Sequence, residues 1–419
     1  MNICLVGVNY RTAPVTIREK AAIRSAKLND SLSLLSSYVS QGIILSTCNR
    51  TEVYTVTNDG NHAEEASLSF LKAHLDIPDT NLRRYTYVLR GEATVKHLFH
   101  VACGLDSMIV GEFEILGQVR QALEVAKEAR MVNLPLYHLF QSAIRTGRRV
   151  RQETGISKNA LSVSSVAVDL AVRVTGDLTS CKMLVIGAGE AGRLVAKAAK
   201  DRGVSQIIVA SRTQERASIL TTLLGGIPVS MNNLAEELNT CNIAVTCADA
   251  PHWLLDVCHV ETAMKQRPEL PLVVIDIAVP RNVAPAVGQI NNVFLYNIDD
   301  LAHISGKNRR QRERETEKAV KIITAEIADF ATWWRAFAAK PVVTALMKKA
   351  ENIRCAQLNK TLKKLRPLSN EERDSLEAMT KSIVTKILQN PVRYLKANIN
   401  SNGDYVEMVN EIFRLDVEQ

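Results

Sequence analysis

The sequence predicts a multidomain α/β protein in three units. The first is a mixed αβ unit of βαββαβ type with a helical extension, the second a doubly wound parallel-sheet unit, and the third is all-helical. Three observations predict this. Short β-branched runs alternate with helix-length stretches across residues 2–89; five further such runs alternate with helical stretches across 160–300, one of them closed by a glycine-rich turn; and beyond Leu301 apolar residues recur only at helical spacing.

In the first unit, Asn2 to Val8 reads as a strand and a helical pattern follows to about Tyr38. GIIL at 42–45 and EVYTV at 52–56 are the next strands, then a helix around 63–75 and a strand within 83–89. That order is the split-βαβ pattern. From Glu92 to Thr154 the pattern turns helical and basic, ending in RTGRRVRQET with Arg145, Arg148, Arg149 and Arg151. In the middle unit the strand runs are KMLVIG, QIIVAS, NIAVTC, LVVIDIAV and VFLYNI, as a sheet covered on both faces requires. In the last unit Val320, Ile323, Ile327, Phe330, Trp334 and Phe337 form an a/d seam that Pro341 is expected to interrupt. Ser369 and Glu372 form a capping box for a later helix with Leu376, Met379, Ile383 and Ile387 on one face. A helical hairpin and a dimer interface both fit this seam, and an aromatic-rich terminal seam favours the homodimer. The expected domain boundaries are 1–155, 156–304 and 305–419.

The chain has 419 residues, 46% hydrophobic and 23% charged, which excludes a lone small module and a disordered chain. No stretch approaches the roughly 18 consecutive apolar residues of a membrane span. The formal charge of +8 is compatible with an anionic partner such as nucleic acid. The opening MNICLVGVNY lacks a basic region and a cleavage site, so it reads as a strand rather than an export signal. The eight cysteines are scattered without C-x-x-C pairs, against a zinc site or a disulfide framework, and a reducing cytoplasm is expected.

In VIGAGEAG, Gly187, Gly189 and Gly192 follow a buried strand and open a helix. The first glycine permits the tight turn, the second lets backbone approach a pyrophosphate, and the third lets helix pack on strand, so this unit is Rossmann-like and binds a dinucleotide through Gly187, Ala188, Gly189, Glu190, Ala191 and Gly192. The next strand ends in Ser211, Arg212 and Thr213 where an NAD site would carry an acid. A guanidinium with hydroxyl donors suits a 2′-phosphate, so NADPH is the expected cofactor.

Cys48 sits in a polar connector between two strands, among Thr47, Asn49, Arg50 and Thr51. These neighbours favour an accessible thiolate and hence a nucleophile. A cysteine nucleophile beside an NADPH site fits reduction of an activated carboxyl group through a thioester, which divides one difficult step into two.

The motifs STCNRTEVY, GLDSMIVGE, ILGQVR, RTGRRVRQET, VSSVAVDLA, VIGAGEAG, DIAVPRN and YNIDDL occur in this order between Ser46 and Leu301. Together they resemble the glutamyl-tRNA reductases, which make glutamate-1-semialdehyde for tetrapyrrole (porphyrin) biosynthesis. The resemblance implies that Cys48 attacks the aminoacyl ester of glutamyl-tRNA(Glu), that Thr47, Asn49 and Arg50 hold the glutamyl group with Arg50 on its carboxylate, and that Ser107, Glu112, Phe113, Glu114 and Gln118 complete the substrate pocket. It implies His97 near the reacting carbonyl, with His100 sharing its helix face. It further implies a V-shaped dimer built on the C-terminal helices and hand-over of the aldehyde to glutamate-1-semialdehyde aminotransferase.

The sequence departs from the family pattern at Tyr10, where histidine is common, at Phe113, where a small residue or proline is usual, and at Glu114, where glutamine is. Hydride transfer between units implies a swing of the middle unit, with hinges near 156–159 and 301–306. The four arginines from Arg145 to Arg151 are the local candidates for tRNA phosphate contacts. Two other readings fit parts of the chain: a shikimate-type NADP dehydrogenase, which needs no nucleophilic cysteine, and a catalytically retired relative that binds tRNA or NADPH.

Overall fold

The computed structural model describes residues 3–57, 60–75, 79–156, 162–304, 309–398 and 404–415. The described residues divide into two compact units, one within 3–323 and one within 324–415.

The larger unit opens with β1 (Ile3–Asn9), α1 (Val15–Ala21), α2 (Leu28–Leu35), β2 (Gly42–Ser46), β3 (Arg50–Val56), α3 (Gly60–Leu75), α4 (Asp79–Tyr85) and β4 (Tyr87–Arg90). The sheet order is β2-β3-β1-β4, with every neighbouring pair antiparallel. This is the expected split-βαβ arrangement with β1 central, and all seven residues of β1 are buried. The strand expected across 83–89 is shorter than the sequence suggests, because α4 takes Arg83 and Arg84 into its last turn, where cations suit the helix dipole.

The helical extension is α5 (Glu92–Ala102), α6 (Glu114–Glu128) and α7 (Leu134–Glu153). Asn133 caps α7 by accepting the Leu136 amide at 3.0 Å. Phe140 of α7 packs edge-on against Tyr54 of β3 with ring centroids 5.1 Å apart, fixing the extension to the sheet.

After α8 (Val163–Thr175) the second sheet is built from β5 (Lys182–Ile186), α9 (Glu190–Asp201), β6 (Gln206–Ser211), α10 (Gln214–Leu224), β7 (Ile227–Ser230), α11 (Leu234–Leu238), β8 (Ile243–Thr246), α12 (Val257–Gln266), β9 (Leu272–Asp276), β10 (Val293–Asn297) and α13 (Ile298–Ile304). Its order is β10-β9-β8-β5-β6-β7, all parallel, with the reversal of direction between β5 and β8. Ligands of such sheets bind at the carboxyl ends of the strands beside that reversal. One strand escaped the sequence pattern: β7 is a half-exposed edge strand containing Pro228, and lacks the buried β-branched run of its neighbours.

The remaining helices are α14 (Arg309–Leu362), α15 (Asn370–Asn398) and α16 (Asp404–Phe413). Contrary to expectation α14 continues through Pro341. Ala339 and Val342 on either side are buried, and that packing offsets the one backbone bond a helical proline forfeits. The capping box is present: the Ser369 amide donates to Glu372 Oε2 at 2.8 Å and the Glu372 amide to Ser369 Oγ at 3.2 Å. Met379, Ile383 and Ile387 form an exposed apolar stripe on α15. No helix among the described residues is long and apolar enough to cross a membrane.

Candidate active site

The β2–β3 turn carries Cys48, and five bonds fix its backbone. The Thr47 amide donates to Arg50 O at 2.8 Å, and Thr47 Oγ1 accepts the amides of Asn49 at 3.1 Å and Arg50 at 3.2 Å. The Tyr10 amide holds Asn49 O at 3.0 Å, and Arg18 Nη1 donates to Cys48 O at 2.7 Å. Asn49 is buried, while Cys48 keeps part of its surface open. The sequence suggested an acidified thiol. Burial instead pushes the Cys48 thiol up to about 12, with Glu112 and Glu114 adding to the effect and Arg18 opposing it. Arg50, the cation two residues along the chain, is committed elsewhere.

Arg50 is 2% exposed and turns under the turn into a cluster of polar groups. Its Nη1 lies 2.8 Å from Glu52 Oε1 and 3.0 Å from Asp106 Oδ2, and its Nη2 donates to Asp106 O. Glu52 is fully buried and accepts bonds from the hydroxyls of Tyr54 and Tyr87, each at 2.5 Å, and lies 2.8 Å from His97 Nε2. Its carboxyl is held far below the usual range: the His97 and Arg50 charges and these hydrogen bonds overcome the opposing cost of burial. Arg11 pairs with Asp106 at 2.9 Å from the outer side.

Gly7 makes this meeting possible. It is the partner of both Glu52 on β3 and Tyr87 on β4, and a Cβ there would lie 2.9 Å from Glu52 Cγ and 3.1 Å from the Tyr87 ring. His100, the other histidine of α5, turns away and its Nδ1 meets Lys96 O at 2.7 Å, so His97 alone of the pair joins the cluster. Glu52, Tyr54, Tyr87, Asp106 and Arg18 were not singled out from sequence. The one available signal was a glycine inside an otherwise apolar strand, which marks a close approach.

On the other side of Cys48 lies an acidic pair. Glu112 is 6% exposed beside buried Ser107, and desolvation raises its carboxyl above the ordinary range. Glu114 opens α6, and its carboxyl rises to about 7 through burial, then through repulsion from Glu112 and Glu190. Its Oε1 is buried without a hydrogen-bond partner. Phe113 faces solvent at 59% exposure.

In the second sheet Gly187 adopts φ +124°, and a Cβ at Gly192 would fall 1.9 Å from Gly187 O, so the turn and the helix–strand contact both demand glycine. A Cβ at Gly189 meets nothing within 4 Å, and no side chain caps α9 there. The loop therefore leaves open space at a helix N-terminus, which fits the phosphates of a dinucleotide.

One cleft of about 450 Å³ joins the two regions. Thr47, Cys48, Glu114 and Gln118 line it together with Gly187, Ala188, Gly189, Glu190, Ala191, Ser211, Arg212 and Thr213. Arg216 adds a second cation that the sequence reading did not single out, one turn after Arg212. Arg50, His97, Ser107 and Glu112 stand behind the wall, and Phe113 does not line it. The glycine loop and Cys48 already line one cleft in this structure, and the Arg18–Asp299 and Glu19–Arg281 pairs join the same two segments. Of the expected hinges, 157–159 and 305–306 lie outside the described residues.

The arginine run divides. Arg145, Arg148 and Arg149 are exposed on α7, with Arg149 paired to Glu153 at 2.8 Å. Arg151 instead donates to the carbonyls of Ala102, Gly147 and Glu112 at 3.0–3.1 Å, tying α5 to the Glu112 turn. The Ala102 carbonyl at the end of α5 is one of the groups that need such a donor, and Arg151 is committed to it and to Glu112 O.

Residues 6–154 match the family model described as the N-terminal domain of glutamyl-tRNAGlu reductase, and residues 318–415 the model for its dimerisation domain. Residues 169–304 match the model described as shikimate / quinate 5-dehydrogenase. Among curated relatives, the glutamyl-tRNA reductase of Natranaerobius thermophilus is 38% identical, with 100% of this chain and 93% of the relative covered. That of Carboxydothermus hydrogenoformans is 39% identical, at 100% and 94% coverage. The solved glutamyl-tRNA reductase of Methanopyrus kandleri superposes with a TM-score of 0.54 and 32% identity, covering 99% of this chain and 98% of that one. With a thiol and a glycine-rich helix N-terminus on one cleft, and relatives of this similarity along its whole length, the chain belongs to the glutamyl-tRNA reductase family.

Proposed function

We propose that this chain reduces the glutamyl ester of glutamyl-tRNA(Glu) to glutamate-1-semialdehyde with NADPH, releasing the tRNA, as an oxidoreductase of tetrapyrrole biosynthesis. The observation that carries the reading is the shared cleft, with Cys48 on one wall and the Gly187–Gly192 turn on the other. Cys48 Sγ bonds to the ester carbonyl carbon while the bond from that carbon to the ribose oxygen breaks, and the thiol proton passes to the departing oxygen. Gly187–Gly192 would hold a nicotinamide dinucleotide, which would supply the hydride to the thioester carbonyl carbon; the carbon–sulfur bond breaks as the aldehyde forms, and the Cys48 thiolate takes a proton from solvent. Ser211, Arg212, Thr213 and Arg216 suit the 2′-phosphate that distinguishes NADPH.

Thr47 holds the turn so that Cys48 faces the cleft, and Gln118 and Glu114 border the glutamyl group. His97 is held by Glu52 behind the Cys48 turn, where it helps fix Arg50 and Glu52 in place. Asn49, Arg50, Ser107 and Glu112 frame the pocket from behind, with the Arg50 charge balanced by Asp106 and Glu52. Phe113 offers an exposed ring beside Glu114 for the acceptor end of the tRNA.

The reading divides the chain into a catalytic segment, 1–155, a dinucleotide segment, 156–304, and a dimerisation segment, 305–419. The exposed stripe on α15 and the dimerisation-domain match support a homodimer. Eight free cysteines suit a reducing cytoplasm, and the reactive aldehyde suits direct hand-over to glutamate-1-semialdehyde aminotransferase. The shikimate-type and retired-relative readings are not favoured, because the dehydrogenase match is confined to 169–304 between two reductase matches. Supplying glutamyl-tRNA and NADPH tests the proposal. The wild type is expected to form semialdehyde and Cys48→Ser to lose at least about 10³-fold; full turnover by the serine variant rules out the thioester route.

A further inference from the structure

Helix α1 is two turns long, yet two consecutive residues on it contact the dinucleotide segment with opposite charge. Glu19 takes Arg281 Nε at 2.9 Å and Nη2 at 2.7 Å. Arg18 pairs through Nη2 with Asp299, which begins α13 directly after β10. Arg18 is buried, at 3% exposed, and has three destinations: Nε reaches Ala13 O at 3.3 Å, Nη1 donates to Cys48 O at 2.7 Å, and Nη2 pairs with Asp299. One planar group therefore touches the backbone of the nucleophile on one edge and the dinucleotide segment on the other. A guanidinium is a rigid fork, so displacing the partner of one edge tilts the donors of the other.

We propose that Arg18 is a positioning residue that couples seating of the dinucleotide segment, through Asp299, to the placement of Cys48 in the cleft. The pair Glu19–Arg281 docks the same two segments without touching the Cys48 turn, so docking and positioning are divided between neighbouring side chains. Arg18 is also a cation that opposes the upward push on the Cys48 thiol. Acylation of Cys48 needs only the turn held by Arg18 Nη1, whereas reduction needs the dinucleotide segment seated as well. The coupling rests on the reductase reading given above.

The test separates the two stages in the full-length enzyme. Acylation is read as acid-stable glutamyl label on Cys48 from glutamyl-tRNA without dinucleotide, and reduction as semialdehyde formed with NADPH. Asp299→Asn, at a side chain one third exposed, is expected to acylate within about 2-fold of wild type but to reduce at least about 10-fold more slowly, with label leaving as free glutamate. Arg18→Lys keeps the charge but not the fork, and is expected to slow both stages at least about 10-fold. Equal loss in both stages for Asp299→Asn, unchanged reduction by it, or wild-type acylation by Arg18→Lys overturns the inference. Absence of label on the wild-type protein instead overturns the reductase reading, and the inference with it.

Discussion

His97 Nε2 and Arg50 Nη1 both lie 2.8 Å from a single oxygen, Oε1 of Glu52. A fully buried carboxylate thus holds the histidine of α5 and the arginine of β3 in one arrangement under the Cys48 turn, and its other oxygen is taken by Tyr54. Glu52 is central to the site although it never reaches the cleft.

Glu52→Gln leaves Arg50 buried with one fewer counter-charge. The expected loss of folding stability is about 3–5 kcal/mol, read as a lower denaturant midpoint at unchanged slope. Because the folded carboxyl lies below its ordinary value of 4.5, its contribution is present above that pH and fades as pH falls further. Acid unfolding of the variant should therefore depend less steeply on pH than that of the wild type; parallel profiles contradict the assignment.

Glu114 and Cys48 border the same cleft, and the carboxylate of Glu114 opposes ionisation of the thiol. Glu114 itself ionises near 7, so the opposition operates above that pH. Glu114→Gln should speed iodoacetamide alkylation of Cys48 at about pH 8–9 and leave it unchanged near pH 6. Mass analysis of the Cys48 peptide provides the measurement, and identical profiles for both proteins count against the coupling.

Two glycines of one motif should fail differently. Gly192→Ala drives a Cβ into Gly187 O and is expected to lower the melting temperature as well as dinucleotide binding. A methyl at Gly189 meets no protein atom, so Gly189→Ala should fold as the wild type does and lose dinucleotide affinity alone. Thermal melts paired with titration by NADPH separate the two; an undiminished affinity for Gly189→Ala removes the pyrophosphate from that position.

Arg212 stands exposed at the end of β6 with only a 3.5 Å approach to Asp249 O. Arg212→Glu is expected to raise KM for NADPH at least about 10-fold while altering KM for NADH little. Equal changes for both cofactors would reassign the 2′-phosphate, with Arg216 the next group to examine.

Arg148 and Arg151 lie one turn apart on α7 yet differ in role. Arg148→Ala should weaken tRNA binding and reduce its salt slope by about 1. Arg151→Ala should instead destabilise the fold, because the carbonyls of Ala102 and Glu112 lose a side-chain donor.

Local pattern determined most of the fold. Period-2 and period-3.6 apolar spacing marked β1 to β3, the middle strands except β7, and the long helices, and the sterics of Gly187 and Gly192 marked the dinucleotide turn. It was silent where a boundary depended on competing signals, as at α4 and β4, or where tertiary packing overrode a helix breaker, as at Pro341. The sequence by itself also singled out Cys48, because a thiol in a polar turn between strands is locally visible. What only the tertiary structure decided is that thiol's electrostatics and its partners. Arg50, two residues on in sequence, is drawn inward by Glu52 and Asp106, while the cation that touches the Cys48 backbone is Arg18, thirty residues away. The physical reason is range. Backbone preference is set by neighbours within a turn or two, but a charge is governed by whichever opposite charge shares its low-dielectric surroundings, and the fold alone brings Arg18 to Asp299 or Glu52 to His97.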